Sequence, residues 1–195
     1  MSRLIVLSLV VLAGVAAGRV PSSATQLRDV DGVRRDLFTP SGAASVLLFV
    51  SSDCPISNGY APEIQRVCAE YRTRGVSCTL LYEDASIDVA AARSHRQAFG
   101  YGDMPAVVDT AHAIAAAARA TVTPQAVVVV AGGEVEYRGR IDNRYEQLGR
   151  ERRVVTVRDL RDALDAVLTG RPVARPATEP VGCFIPFASS RSTVR

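Results

Sequence analysis

One stretch decides what this chain can fold into. A continuous apolar run, Val46 to Val50, leads through Ser51-Ser52-Asp53 into Cys54-Pro55, and helix-compatible residues Ala61 to Tyr71 follow. An apolar run with no polar alternation fits a strand covered on both faces. The order is strand, tight turn, helix, with Ser57 and Asn58 as candidate helix caps. A cysteine at that turn sits at the positive end of a helix dipole beside free backbone N–H groups. Both favour thiolate over thiol, and the thiolate is the reactive species. The alternative is a buried structural cysteine, but strand-to-helix turns are where sites cluster. Asp53 opposes the effect, because a neighbouring carboxylate raises a thiol pKa.

The rest of the chain repeats this grammar. Asp31-Gly32, between two short alternating stretches, signals a hairpin. Val76 to Tyr82 reads as a second core strand, so strand, helix and parallel strand form a right-handed crossover. A helix is expected over Asp88 to Phe99 and a short strand over Ala106 to Asp109. An alanine-rich helix capped by Thr110 should then run to Arg119. Pro62 falls in or near the first turn of its helix and can kink it, since it removes a donor. Thr121-Val122-Thr123-Pro124 precedes an apolar strand over Ala126 to Val130. Ala131-Gly132-Gly133 makes a turn into a strand over Glu134 to Arg140. Thr156 to Asp159 has the form of a capping box, and an amphipathic helix follows to Leu168, expected to pack on the sheet beside the first core strand. Residues 171–180 are proline-rich and read as extended. They deliver Val181-Gly182-Cys183-Phe184-Ile185, an apolar knot in a polar tail. The expected fold is α/β, a central mixed sheet with helices on both faces, in one domain over residues 22–170 with a tail over 171–195.

Met1 to about Gly18 reads as a secretory signal. Arg3 supplies the positive start, Leu4 to Ala13 the apolar centre and Val15-Ala16-Ala17 the small residues for cleavage. The apolar run is short of the ~20 residues of a membrane span. An uncleaved anchor is the alternative, and only that would bring a membrane contact. An exported chain meets an oxidising compartment, periplasmic or extracellular. Four cysteines remain after such cleavage, Cys54, Cys68, Cys78 and Cys183, and their pairing is not readable from sequence. Cys68 and Cys78 flank the helix-to-strand connection. Two small buried hydrophobes are favoured there over a bridge. A net charge of +3 leaves no footprint for nucleic acid. All basic side chains are arginine, which reads as coding bias.

Several of these stretches resemble known ones. Phe49 and Cys54 match positions of the active-site motif of thioredoxin-fold redox proteins, Phe-Trp-Ala-x-Trp-Cys-x-x-Cys, but Ser57 stands where the second cysteine belongs. Ser51 could stand for the threonine of the peroxiredoxin motif, although Leu47 occupies its proline position. Tyr137-Arg138-Gly139-Arg140-Ile141-Asp142-Asn143 is similar to Tyr-Arg-Gly-x-Ile-Asp-Asp of the peroxiredoxin-like, redoxin-domain proteins. The Gly-Cys-x-Ile ending recurs there too. Thr123-Pro124 looks like the cis-proline loop of the thioredoxin fold, which lies beside the active cysteine and offers backbone groups to an incoming chain. Together these motifs span most of the mature chain.

The resemblance implies a thioredoxin-like fold and thiol chemistry outside the cytoplasm, either thiol–disulfide exchange or peroxide reduction, with no cofactor and no metal. Cys54 would be the nucleophile. Ser57 would hydrogen-bond its sulfur or cap the helix. Cys183, brought by the tail, would resolve the intermediate. Thr123, Pro124, Ser51, Pro55 and Arg140 would contact substrate. The default reading of the arginines from Arg138 to Arg144 is a solvated face, the alternative being that one of them sits near Cys54 and lowers its pKa. Partners would be protein thiols or disulfides, or a small peroxide, with an external thiol as reductant. Two other classes are open: a redox-inert binding module, which loss of the second motif cysteine favours, and a copper-handling protein using Cys54 and Cys183 with His95 or His112.

Overall fold

The computed structural model describes residues 26–187, so the expected signal segment lies outside the described residues. An antiparallel hairpin, β1 (Gln26–Arg28) and β2 (Arg34–Asp36), opens the chain. Asp29 organises its turn, accepting from the N–H groups of Asp31 and Val33 and pairing with Arg35 at 2.8 Å. The apolar run is β3 (Ala44–Val50), buried at every position. Then come α1 (Pro55–Gly59), α2 (Ala61–Arg72), β4 (Val76–Tyr82), α3 (Val89–Ala98), β5 (Ala106–Val108), α4 (Ala113–Ala118), β6 (Val122–Thr123), β7 (Gln125–Val129) and β8 (Val135–Gly139). A small hairpin of β9 (Tyr145–Gln147) and β10 (Arg150–Glu151), helix α5 (Asp159–Leu168) and strand β11 (Cys183–Phe184) complete the order.

The main sheet runs β5-β4-β3-β7-β8. Strands β3, β4 and β5 are parallel, while β7 and β8 run against their neighbours. Side chains alternate across β3. Val46, Leu48 and Val50 face the layer holding Ile64 and Val67 of α2 and Leu160 and Leu164 of α5. Leu47 and Phe49 face the opposite layer, with Ile114, Ala115 and Ala118 of α4. Successive crossovers through α2 and α3 lead in the same direction along the sheet, so handedness puts both helices on one face. Helix α5 lies over β7 and β8. This is the expected α/β architecture with a mixed central sheet.

The helix starts differ from expectation, each for a local reason. The first helix begins at once after Cys54, so Ser57 and Asn58 lie inside α1 and cap nothing. Pro62 has no N–H to offer the carbonyl four residues back, and the helix breaks at Tyr60 into α1 and α2. Helix α4 is capped by Asp109, not Thr110. Its buried carboxylate accepts from the N–H groups of Ala113, Ile114 and Ala115 at 2.9, 2.7 and 3.1 Å. The capping box before α5 does not form. Asn143 captures Thr156 instead, through its hydroxyl and its N–H, and the helix starts at Asp159.

As far as Phe187 the tail stays on the body. Residues 176–178 lie along β8, where Arg138 N–H donates to Pro176 and Thr178 N–H donates to Arg138. Thr178 also meets the Tyr137 hydroxyl at 2.6 Å. The sheet edge at β8 is thereby covered, which removes a template for wrong pairing.

Cys68 and Cys78 are bonded, against the expectation of two free buried thiols. Cys68 lies on the sheet-facing side of α2 and Cys78 on the helix-facing side of β4, in line with Val76 and Leu80. The connection turns through Gly75 at φ +81° and brings the two Cα atoms to 6.0 Å, within disulfide range. A loop of this length confers about 2–3 kcal/mol in the chain-entropy account. Replacing both Cys68 and Cys78 by serine should lower unfolding stability in urea by that amount and leave the Cys54–Cys183 bond intact. A loss below about 0.5 kcal/mol would mean that the bridge constrains nothing the helix and strand do not already fix.

Candidate active site

The site is built on the loop leaving β3. Asp84, just past β4, holds that loop from below: Ser51 Oγ donates to Asp84 Oδ1 at 2.6 Å and Ser52 N–H to Oδ2 at 3.0 Å. From above, Ser51 N–H donates to Ser57 Oγ at 3.2 Å, and Asn58 Nδ2 donates to the Ser52 carbonyl at 2.8 Å. Asn58 is itself braced by His95, whose Nε2 lies 2.8 Å from Asn58 Oδ1 while Nδ1 lies 2.9 Å from the Tyr82 hydroxyl. A neutral imidazole protonated on Nε2 satisfies both partners. Burial holds the His95 pKa below its ordinary value, against the raising effect of Asp84 and Asp53.

Cys54 sits at the N-cap of α1 with Pro55 as the first helical residue. Pro55 has no N–H, so the first amides available on that end belong to Ile56 and Ser57. With five residues, α1 offers a smaller dipole than the sequence suggests. Cys54 is only 1% exposed. Above it, the Thr123–Pro124 bond is cis, and the Thr123 carbonyl oxygen lies 3.3 Å from Cys54 Sγ. The sulfur is bonded to Cys183, with 6.0 Å between the Cα atoms. Strand β11 pairs antiparallel with β6, placing Cys183 opposite Thr123 and Phe184 opposite Val122.

The structure therefore brings together Cys54, Pro55, Thr123, Pro124 and Cys183. Ser57 stays nearby, but its hydroxyl accepts from the Ser51 amide. The Ser51 hydroxyl is committed to Asp84. Arg140 is directed elsewhere: its Nε pairs with the buried Asp159 at 2.7 Å, and Arg175 of the tail pairs with the other oxygen at 3.0 Å. That cluster ties β8, α5 and the tail together. Arg144, four residues on, reaches α1 instead, donating to the Gly59 carbonyl at 3.0 Å. The copper set is not assembled: the two sulfurs are bonded to each other, and His95 and His112 are each hydrogen-bonded within the protein. Among the described residues, no cluster of three metal-ligating side chains occurs.

Sequence reasoning passed over Glu83 and Asp84, a polar pair directly after an apolar strand that reads as plain loop. Glu83 is 1% exposed. Its N–H donates to the Val50 carbonyl at the end of β3, and its Oε2 lies 3.0 Å from His112 Nδ1. The Phe187 ring covers His112 edge-on at 5.6 Å. Burial pushes the Glu83 carboxyl up to about 9, with the charges of Asp109 and Asp84 adding to the shift.

No protein-family model matches the chain, and no curated protein matches it either. Solved structures do. An uncharacterized conserved protein from Geobacillus kaustophilus superposes with a TM-score of 0.72 at 26% identity, over 85% of this chain and 89% of that one. A thioredoxin-like protein from Aeropyrum pernix superposes at 0.53 and 16% identity, over 75% and 89%. The chain has the thioredoxin fold. A third structure on this fold, a secreted Mycobacterium tuberculosis disulfide oxidoreductase, superposes at 0.50 and 18% identity, over 74% of this chain and 94% of that one. On this thioredoxin fold the cis-proline strand β6 carries the tail.

Glu83 gives a pH prediction. Its folded pKa of about 9 stands above the ordinary 4.5. The proton it holds therefore contributes stability that is complete below pH 4.5, declines as pH rises and is gone above about pH 9. Glu83→Gln should flatten the fall in unfolding free energy between pH 5 and pH 9, gaining most at the alkaline end. An unchanged slope would mean that Glu83 is ionised at neutral pH.

Proposed function

We propose that this chain is a thiol–disulfide oxidoreductase working outside the cytoplasm, with Cys54 as nucleophile and Cys183 as resolving thiol. The observation that carries the reading is the Cys54–Cys183 disulfide lying on the cis-proline strand. Sequence left Cys54 without a motif partner, since Ser57 stands at the second position. The tail supplies that partner from 129 residues away.

The reaction follows from this pair. In the reduced protein, the Cys54 thiolate attacks one sulfur of a substrate disulfide. A Cys54–substrate disulfide forms and the other substrate sulfur leaves as thiolate, to be protonated by water. Cys183 thiolate then attacks Cys54 Sγ, closes the Cys54–Cys183 bond and releases the second substrate thiol. Two equivalents of an external thiol reopen the bond. Thr123 and Pro124 border the sulfur and are the docking residues. Ser51, Ser57, Asn58 and His95 position the turn. Disulfide exchange is preferred to peroxide reduction because Ser51, which stands for the threonine of the peroxiredoxin motif, and Arg140 are tied to Asp84 and Asp159. The export-type N-terminus and two disulfides suit an oxidising compartment, as does the fold shared with a secreted oxidoreductase.

Mapping disulfides after selective reduction tests this. The reduced wild type, given a small disulfide, should return to Cys54–Cys183 with two thiols released. Cys183→Ser should stop at a stable mixed disulfide on Cys54, and Cys54→Ser should not react at that site at all. Slow alkylation of reduced Cys54 at neutral pH, at the rate of an unactivated thiol, would instead identify a redox-inert binding module.

A further inference from the structure

The edge that would take an incoming chain is occupied by the protein's own tail. We propose that residues 182–185 lie in the register of a substrate polypeptide, so that the site selects an extended segment with glycine before its cysteine and a branched aliphatic residue two positions after it. This rests on the thiol–disulfide reading above.

The backbone fixes the register. Cys183 and Phe184 pair with Thr123 and Val122, and the Ile185 N–H donates to the Thr121 carbonyl at 3.0 Å. Pairing of this kind gives affinity without sequence preference, and preference comes from the side chains. At the position before the cysteine, a Cβ on Gly182 would overlap the Thr123 carbonyl and crowd Pro124 N. Those are backbone atoms, and they cannot yield as a flexible side chain would. Glycine is required there by contact, not by φ. The next position is indifferent, since Phe184 points to solvent and is 82% exposed. Two residues after the cysteine, Ile185 is 5% exposed, inside the core layer that holds Leu37, Phe49 and Val127. A charge cannot enter that layer unpaired.

The tail is held at two separate places. Residues 176–178 lie on β8, and 183–187 lie on β6 and His112. Between them, Glu179, Pro180 and Val181 are exposed or half-buried. The second hold can therefore release while the first stays, which keeps Cys183 close at high effective concentration. In the exchange, a substrate strand takes β6 while the tail is off it. When the tail returns, the attack of Cys183 on Cys54 and the displacement of the substrate strand are one event.

The test uses full-length Cys183→Ser with the Cys68–Cys78 bond intact, so that Cys54 is the free thiol. Cys54 is loaded as a mixed disulfide with nitrothiobenzoate. A peptide thiolate attacks Cys54 Sγ, forms the peptide–Cys54 disulfide and expels the coloured nitrothiobenzoate anion. Val-Gly-Cys-Phe-Ile-Pro, the tail's own sequence, is compared with versions carrying valine for glycine, aspartate for isoleucine, or aspartate for phenylalanine. The first two changes should each slow release by about tenfold or more, the third by less than about threefold. Ile185→Ala in the same background should speed the parent peptide, because the competing tail is weaker. Equal rates for all four peptides, or no effect of Ile185→Ala, would overturn the proposal. Glutathione separates the two levels: if it reacts normally while the peptides are not distinguished, only the register fails. If Cys54 cannot be loaded at all, the thiol–disulfide reading fails.

Discussion

Everything in this molecule is placed by one strand that must be buried on both faces. Strand β3 has no polar residue facing outward, so the chain has to supply a layer above and a layer below it. Helices α2 and α5 answer one side, α4 the other. At the end of this strand the chain turns polar through Ser51, Ser52 and Asp53, and Cys54 follows at once. Its position is thus a consequence of core packing, and the polar loop around it can be devoted to holding geometry. Asp84, Asn58 and His95 do this through hydrogen bonds of ordinary length, each with a partner already fixed on a neighbouring element.

The two disulfides serve different ends. Cys68–Cys78 pins a helix to the strand it precedes, with both cysteines in regular structure and little freedom to part. Cys54–Cys183 joins the turn after β3 to a strand of two residues held by short-range pairing on β6. Opening the first would loosen the core. Opening the second frees only a tail end, because the tail's other hold on β8 does not depend on it. The proposed cycle needs its bond at such a place, where opening leaves the helices and the five-stranded sheet intact. The burial of Ile185 supplies enough attraction to bring the tail back.

Much of this was legible in the chain. Strand β3 was marked by the continuous apolar run Val46 to Val50, β4 fell where a second core strand was expected, Val76 to Tyr82, and Thr123-Pro124 announced itself by standing before a buried strand. The Gly-Cys-x-Ile knot in a polar tail had no reason to exist unless it docked. What could not be read was which of several polar groups wins a contact. Thr110, Ser57 and Thr156 all had the form of caps. Asp109 reaches three amides where Thr110 could reach fewer, and Asn143 holds Thr156 from thirteen residues away. Arg140 was expected among the groups contacting substrate, but its guanidinium pairs with the buried Asp159. Glu83 carried no signal at all, since its partner His112 lies 29 residues away in the chain.

The claim that the tail strand is a reversible occupant of the cis-proline edge is tested most directly by amide hydrogen exchange on oxidised and selectively reduced protein. The account predicts that opening Cys54–Cys183 speeds exchange at Ile185 and across residues 183–187, with β3, β4 and the 176–178 contact on β8 unchanged. Unchanged protection at 183–187 after reduction would contradict it, and would make the tail a fixed part of the fold.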